Sequence, residues 1–255
     1  MQERSKSEPY EEFAQVYDLF MDDVPYKDWA VYLTGLLAEY GITDGILLEL
    51  ACGTGKLTRI LAGQGYDMIG IDYAQEMLEI ARQQATGDEE ILYLHQDMRE
   101  FELYGTVRAV VSICDSMNYI LKEEELLQVF RLVNNYLDPR GIFIFDLNTI
   151  YKYREVLGEA TICENREEGS FIWENFYDAE TNINECDLTL FIKGKQGLYH
   201  KYEETHQQRG YCLSTIQELL SMAGMEFIAA YDERSKNPPK EKSGRIHIVA
   251  REHGK

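Results

Sequence analysis

Glu49-Leu-Ala-Cys-Gly-Thr-Gly55 follows an apolar run, Ile46 to Leu48, and leads into a turn holding Gly53 and Gly55. One acid is thus set at the end of a buried strand, where glycines let the backbone approach a ligand closely. A helix starting near Lys56 would aim unbonded N–H groups at the same place. Three kinds of glycine turn share this outline. A phosphate-cradling P-loop needs Ser or Thr directly after Gly-Lys, but Leu57 follows Lys56, which removes nucleoside triphosphates. A dinucleotide fingerprint needs a third glycine three residues after the second; Thr58 stands there, so a nicotinamide oxidoreductase is disfavoured but stays open. Glu49 discriminates, because a carboxylate facing the site repels phosphate and suits a ligand carrying positive charge. Asp72 ends the run Met68 to Ile71 at about the 20-residue offset of a ribose-binding acid. Asp97 follows Ile91 to His95 in the same manner. Cys52 reads as a small space-filler, since nothing beside it in the sequence would favour a thiolate.

Glu49 to Gly55, then Gly70-Ile-Asp72-Tyr-Ala-Gln-Glu-Met77, then Gln96-Asp97-Met98 resemble, in order and spacing, the class I S-adenosylmethionine-dependent methyltransferases. Their cofactor carries both an ammonium and a sulfonium. The similarity covers roughly residues 10 to 150 and the last 40 or so. It implies that Gly53 and Gly55 meet the methionine part of the cofactor, Asp72 the ribose hydroxyls and Asp97 the adenine amino group. Met77 and Met98 would then lie near the adenine ring, and Tyr17, in Val16-Tyr-Asp-Leu-Phe20, near the sulfonium. Glu49, Ala51, Cys52, Tyr73 and Cys114 complete the candidate cofactor contacts.

The elements that must position these residues alternate from about residue 45 to 147. Strands are expected at Asp67 to Ile71, Ile91 to His95, Arg108 to Cys114 and Ile142 to Asp146, with helices at Ala74 to Gln84 and Lys122 to Leu137. Such βαβα alternation implies a parallel sheet with helices on both faces. Near the C-terminus, Ser214-x-x-Gln217 fits a capping box opening a helix. Strands at Glu226 to Asp232 and Ile246 to Ala250, too close for a crossover helix, must then pair antiparallel. The fold class is therefore α/β: a Rossmann-like, mostly parallel seven-stranded sheet with an antiparallel last strand, which resembles the methyltransferase variant. His247 alternates with Ile246 and Ile248 and is expected to face outward. Asn237-Pro-Pro-Lys240 imitates the Asn-Pro-Pro-aromatic motif of nitrogen methyltransferases, but in the wrong place and ending in Lys; Cys114 to Tyr119 occupies the position after the fourth strand.

Residues 149–213 break the alternation. Ser170 to Tyr177 and Asn184 to Ile192 have period two, and Leu198 to His206 extends the meander, so a small antiparallel sheet is inserted after the fifth strand. It resembles the lids of small-molecule methyltransferases; a dimerisation sheet is the compatible alternative. The expected organisation is a catalytic domain of residues 1–148 and 214–255 with a lid of 149–213. Tyr10, Phe13, Tyr17 and Phe20 share one helical spacing, and Tyr26, Trp29 and Leu33 a second, forming an aromatic wall that is mainly core.

Composition narrows the partners. Forty-five acids against 25 bases give a net charge of −20, which repels nucleic acid. Five cysteines without a Cys-x-x-Cys pair, a polar start from Met1 to Glu8 and no long apolar run point to a reduced cytoplasmic protein off the membrane. No His/Cys/Asp grouping has metal-ligand spacing, so no metal is expected. The expected reaction is in-line transfer of the methyl of S-adenosylmethionine to a small acceptor, most simply an amine. It requires an acceptor lone pair held close to the methyl in a dry site, and a base only to keep an amine neutral or ionise a hydroxyl. His206 at the lid's end and Asp115 after the fourth strand are the base candidates, with Tyr17 nearby; His95 is less suitable. A non-catalytic cofactor-binding subunit is the third class, and a homodimer is compatible with each.

Overall fold

The computed structural model describes Tyr10 and residues 13–85, 90–194 and 196–255. The polar start read at Met1 to Glu8 lies outside the described residues. Two helices, α1 (Ala14–Phe20) and α2 (Tyr26–Glu39), precede β1 (Gly45–Leu50), α3 (Lys56–Ala62), β2 (Tyr66–Asp72), α4 (Gln75–Gln84), β3 (Leu92–His95) and β4 (Val107–Ser112). A 3-10 turn (Ser116–Tyr119), α5 (Glu123–Tyr136) and β5 (Leu137–Asn148) follow. The chain returns to the sheet through α6 (Leu213–Met222), β10 (Met225–Asp232) and β11 (Arg245–Glu252), giving the order β10-β11-β5-β4-β1-β2-β3. β11 pairs antiparallel with both β5 and β10, and the pairs among β1 to β5 are parallel. Strand order reverses between β1 and β4, so a crevice opens at their C-terminal ends, as open α/β sheets dictate.

Apolar strands pack on both faces, as a parallel sheet requires. Leu48, Leu50, Phe143 and Phe145 meet the α5 and α6 residues Phe130, Val133 and Leu220, while Leu47, Val111 and Ile144 meet Leu33, Leu37 and Leu57 of α2 and α3. This two-sided burial corrects the reading of His247. It is 1 % exposed, with its ring against Trp29 and Tyr32, because alternation chooses an outward face only where one face is wet. The capping box is also absent: α6 starts at Leu213 after Cys212, and no side chain caps it. β5 starts five residues earlier than Ile142, running through Pro139-Arg-Gly141 as a register irregularity against β4.

The inserted sheet has four strands, β6 (Thr161–Asn165), β7 (Gly169–Asp178), β8 (Ile183–Lys193) and β9 (Tyr199–Arg209), in sequential antiparallel order. The meander from β7 to β9 agrees with the period-two reading. β6 is an addition, an edge strand whose Thr161, Ile162 and Cys163 are exposed and therefore leave little apolar alternation. Phe171, Leu188 and Leu190 of the inner face pack on Phe13, Val16 and Phe20, so the N-terminal helix lies between lid and core.

Candidate active site

The crevice encloses a cavity of about 380 Å³, within the range of small-ligand sites. The glycine turn forms its floor. Ala51, Gly53 and Gly55 have φ of 55°, 54° and 70°, and the turn is tied down by Cys52 N–H donating to Ile71 O at 2.9 Å and Gly55 N–H to Cys52 O at 2.9 Å. A Cβ on Gly53 would meet open space, whereas one on Gly55 would lie 2.3 Å from the Tyr93 hydroxyl oxygen. The two glycines thus do different work: Gly53 leaves room at the cavity, and Gly55 lets the turn pack on β3. Ala51, Cys52 and Gly53 line the cavity and Gly55 does not.

Asp72 staples this turn to the next one. Its carboxylate accepts Gly53 N–H at 2.7 Å and Ala74 N–H at 2.8 Å while still facing the cavity with Tyr73 and Met77. Burial raises its pKa, opposed by those N–H groups. Glu49 lines the cavity but is only 3 % exposed; the Thr58 hydroxyl donates to it at 2.5 Å, and burial pushes its pKa up to about 8. Thr58, conspicuous in the sequence as a missing glycine, is therefore the partner of the acid. Asp97 and Met98 line the far end with Arg99, which grips Asp97 through its side chain at 2.5–3.0 Å. Burial works to raise Asp97, but the Arg99 bonds outweigh it and hold the carboxyl below its ordinary value. Sequence reading missed Arg99, whose position two residues after the acid was the available signal.

The segment before α1, α1 itself, α2 and the 3-10 turn contribute four further lining tyrosines, Tyr10, Tyr17, Tyr26 and Tyr119. Tyr17 lines the cavity, and burial raises its hydroxyl well above the ordinary value. Tyr10 meets Tyr17 and Tyr119 with ring centres 6.0 and 5.8 Å apart. Asp18, one residue on from Tyr17, accepts the Thr54 hydroxyl at 2.8 Å and pairs with Lys56 at 3.3 Å, fastening α1 to the glycine turn. Cys114 also lines the cavity, its thiol raised by burial, and with Asp115 it forms two successive left-handed residues, φ 62° and 54°. Such backbone is costly for non-glycine residues and needs support.

That support corrects the reading of Asp115 as a base. Its two oxygens are taken by Arg245 at 2.6 Å and Gln208 at 2.6 Å, its N–H donates to Asp146 at 2.9 Å, and it is not a cavity-lining residue. The residue fixes a strained loop. His206 is also behind the wall rather than in it: Nδ1 lies 3.1 Å from the Tyr119 hydroxyl and Nε2 3.1 Å from Glu204. His95 is bonded through Nε2 to Tyr73 O at 2.7 Å. Among the described residues no three His, Cys, Asp or Glu side chains come together as metal ligands.

An open glycine approach, a diol-sized carboxylate at Asp72 and a buried acid at Glu49 fit a nucleoside cofactor with a cationic tail. Known proteins agree. Residues 47–141 match the family model described as a methyltransferase domain. The chain is 33 % identical over 242 residues to YqeM of Bacillus subtilis (strain 168), which bears a methyltransferase name, covering 94 % of this chain and 96 % of that one. It is 31 % identical over 136 residues to the Streptomyces venezuelae dTDP-3-amino-3,4,6-trideoxy-alpha-D-glucopyranose N,N-dimethyltransferase, 52 % of this chain and 56 % of that one. A crystal structure of an S-adenosylmethionine-dependent methyltransferase from Clostridium acetobutylicum ATCC 824 superposes with a TM-score of 0.84 at 28 % identity, covering 95 % and 98 % of the two chains. The glycine turn with its acids, the reversed β11 and these relatives lead to one conclusion: the chain belongs to the S-adenosylmethionine-dependent methyltransferases.

Proposed function

We propose that the protein transfers the methyl of S-adenosylmethionine to a small-molecule amine. The observation that carries this reading is the grouping of Tyr10, Tyr17, Tyr26 and Tyr119 in the cavity lining, Tyr10 meeting Tyr17 and Tyr119, and Tyr17 bonded to Tyr26. Aromatic faces attract a cation within about 6 Å of the ring centre, so such a wall gathers an ammonium and gives little to a carboxylate. The likeness to an amino-sugar N,N-dimethyltransferase, about half of either chain, supports the same class of acceptor.

The cofactor brings a good leaving group on sulfur, and the protein's task is placement and dryness. In this proposal Gly53 and Glu49 hold the methionine part, with Ala51 and Cys52 as the floor, Asp72 and Tyr73 hold the ribose, and Asp97, Met77 and Met98 hold the adenine. Gly55 keeps the turn close-packed, while Tyr17 and Cys114 flank the transferred group. The division into a core of 1–148 and 214–255 and a lid of 149–213 belongs to the same proposal, the lid closing the acceptor end through α1.

The experiment is transfer of isotope-labelled methyl to paired acceptors that differ only in an amine, hydroxyl or carboxyl group. Labelled product from amines is expected. Label appearing only in the hydroxyl or carboxyl series would overturn the amine assignment.

A further inference from the structure

A line of buried side chains leads from the lid to the cavity. Glu204 and His206 stand two apart on β9 and so point to one face of the lid sheet, where they are 1 % and 6 % exposed. Glu204 accepts the backbone N–H groups of Tyr10 and Phe13, each at 2.9 Å, one on either oxygen. His206 bridges Glu204 and Tyr119, and the Tyr119 and Tyr10 hydroxyl oxygens are 2.6 Å apart. Only the two tyrosines of this line reach the cavity.

The direction of the bonds is set by Glu204 together with a neutral His206 ring. Burial works to raise its pKa, but the bonds from His206, Phe13 and Tyr10 outweigh burial and keep it below the ordinary value. A carboxylate only accepts, so Nε2 of His206 carries a hydrogen, and in the neutral ring that a base requires the lone pair stands at Nδ1. Tyr119 then donates its hydroxyl proton to Nδ1. The short contact between the two hydroxyls requires Tyr10 to donate to Tyr119. Both phenolic protons are consumed within the line, and the oxygens have lone pairs alone to offer the cavity.

We infer that the Tyr10–Tyr119 pair is a seat for an N–H-bearing methyl acceptor, and that His206, positioned by Glu204, is the base that receives the acceptor's proton through the Tyr119 hydroxyl. This rests on the amine reading above. An ammonium proton bonded to Tyr119 Oη moves to that oxygen as the Tyr119 proton moves to His206 Nδ1. The amine is left neutral with its lone pair, the phenol is intact, and the imidazolium faces a carboxylate. Burial drives ionisation of the Tyr119 hydroxyl well above its ordinary value, so the exchange avoids a phenolate. The groups facing the His206 ring are Tyr10 and Tyr119, with centres 5.0 and 6.0 Å away, Glu204 on its own strand and Cys186 opposite on β8. Asp115 acts on both tyrosines from further off.

Nitrogen NMR of the full chain with labelled imidazoles reads this directly, the His206 signals being identified by their loss in His206→Gln. With S-adenosylhomocysteine bound near neutral pH, a neutral His206 bearing its hydrogen on Nε2 is expected. A hydrogen on Nδ1, or on both nitrogens in the resting protein, would overturn the relay. In the second arm Tyr119→Phe and His206→Gln are assayed against a 3-amino-3-deoxyhexose probe. Both should bind S-adenosylhomocysteine as the parent does and lose about a hundredfold in turnover at neutral pH. The loss should shrink as pH approaches the amine's own pKa, where the neutral amine arrives from solution. A loss equal at every pH would reduce Tyr119 and His206 to shape and overturn the base role. Turnover by the parent on hydroxyl compounds alone would overturn the amine reading, whereas the wrong tautomer with amine turnover intact would overturn the relay alone.

Discussion

Glu49 holds a proton that an exposed glutamate would release, because burial raises its pKa from 4.5 to about 8. The folded state therefore binds this proton more tightly than the unfolded chain does. Between the unfolded and folded values, roughly pH 4.5 to 8, unfolding releases the proton, so the Glu49 contribution to stability falls as pH rises and levels off above that window. Glu49→Gln should remove this slope. Thermal midpoints across the window should show the variant gaining on the parent as pH increases, and parallel curves would refute it. The same proton gives a binding signature. A cationic ammonium beside Glu49 favours the ionised acid, so S-adenosylmethionine binding near neutral pH should release a proton, visible in calorimetry as a heat that depends on the buffer. Asp72→Ala removes a charged acceptor that also organises two turns and should weaken cofactor binding by about 1.5–3 kcal/mol, ten- to a hundredfold, in the same titration.

At the scale of elements, the glycine turn separates stability from binding. Gly55→Ala forces a Cβ into the Tyr93 ring at φ 70° and should lower stability by about 1–3 kcal/mol. Gly53→Ala meets no protein atom within 4 Å, so its cost is the left-handed backbone alone, about 1 kcal/mol, yet its methyl would enter the cavity, where the proposal puts the cofactor. Thermal unfolding and cofactor titration should thus rank the two variants oppositely, and matching ranks would show that the turn acts only as structure. The turn was legible in the sequence because its chemistry is local: strand, acid and glycines are adjacent in the chain. Asp72 and Asp97 were legible because the first ends β2 and the second lies two residues past β3 of the same parallel sheet, where topology fixes the distance. Asp115 was readable as a polar group near the site but not as a supporting one, and His206 not as a residue behind the cavity wall, since their partners Arg245, Gln208 and Tyr119 arrive from elements 87 to 130 residues away. Edge strand β6 escaped notice for the opposite reason, having too few buried contacts to impose a pattern.

For the whole molecule, the net charge of −20 surrounds a cavity whose proposed acceptor is cationic. Among the described residues no helix is long and apolar enough to cross a membrane. The acidic field disfavours anionic surfaces and draws cations toward the protein, whereas Asp18 and Asp97 beside the crevice are each already paired with a base. Attraction of this long-range kind is screened by salt, the Debye length falling from about 30 Å at 0.01 M to about 3 Å at 1 M. Interactions inside the closed cavity are screened far less. With S-adenosylmethionine kept saturating, KM for an ammonium acceptor should therefore rise several-fold across that range while kcat stays nearly constant. A neutral amine analogue, lacking the attraction, should show a flat KM, and an anionic one should improve with salt. If kcat fell in step with the rise in KM, the salt would be acting within the tyrosine wall, and the field of the whole molecule would have no part in gathering the acceptor.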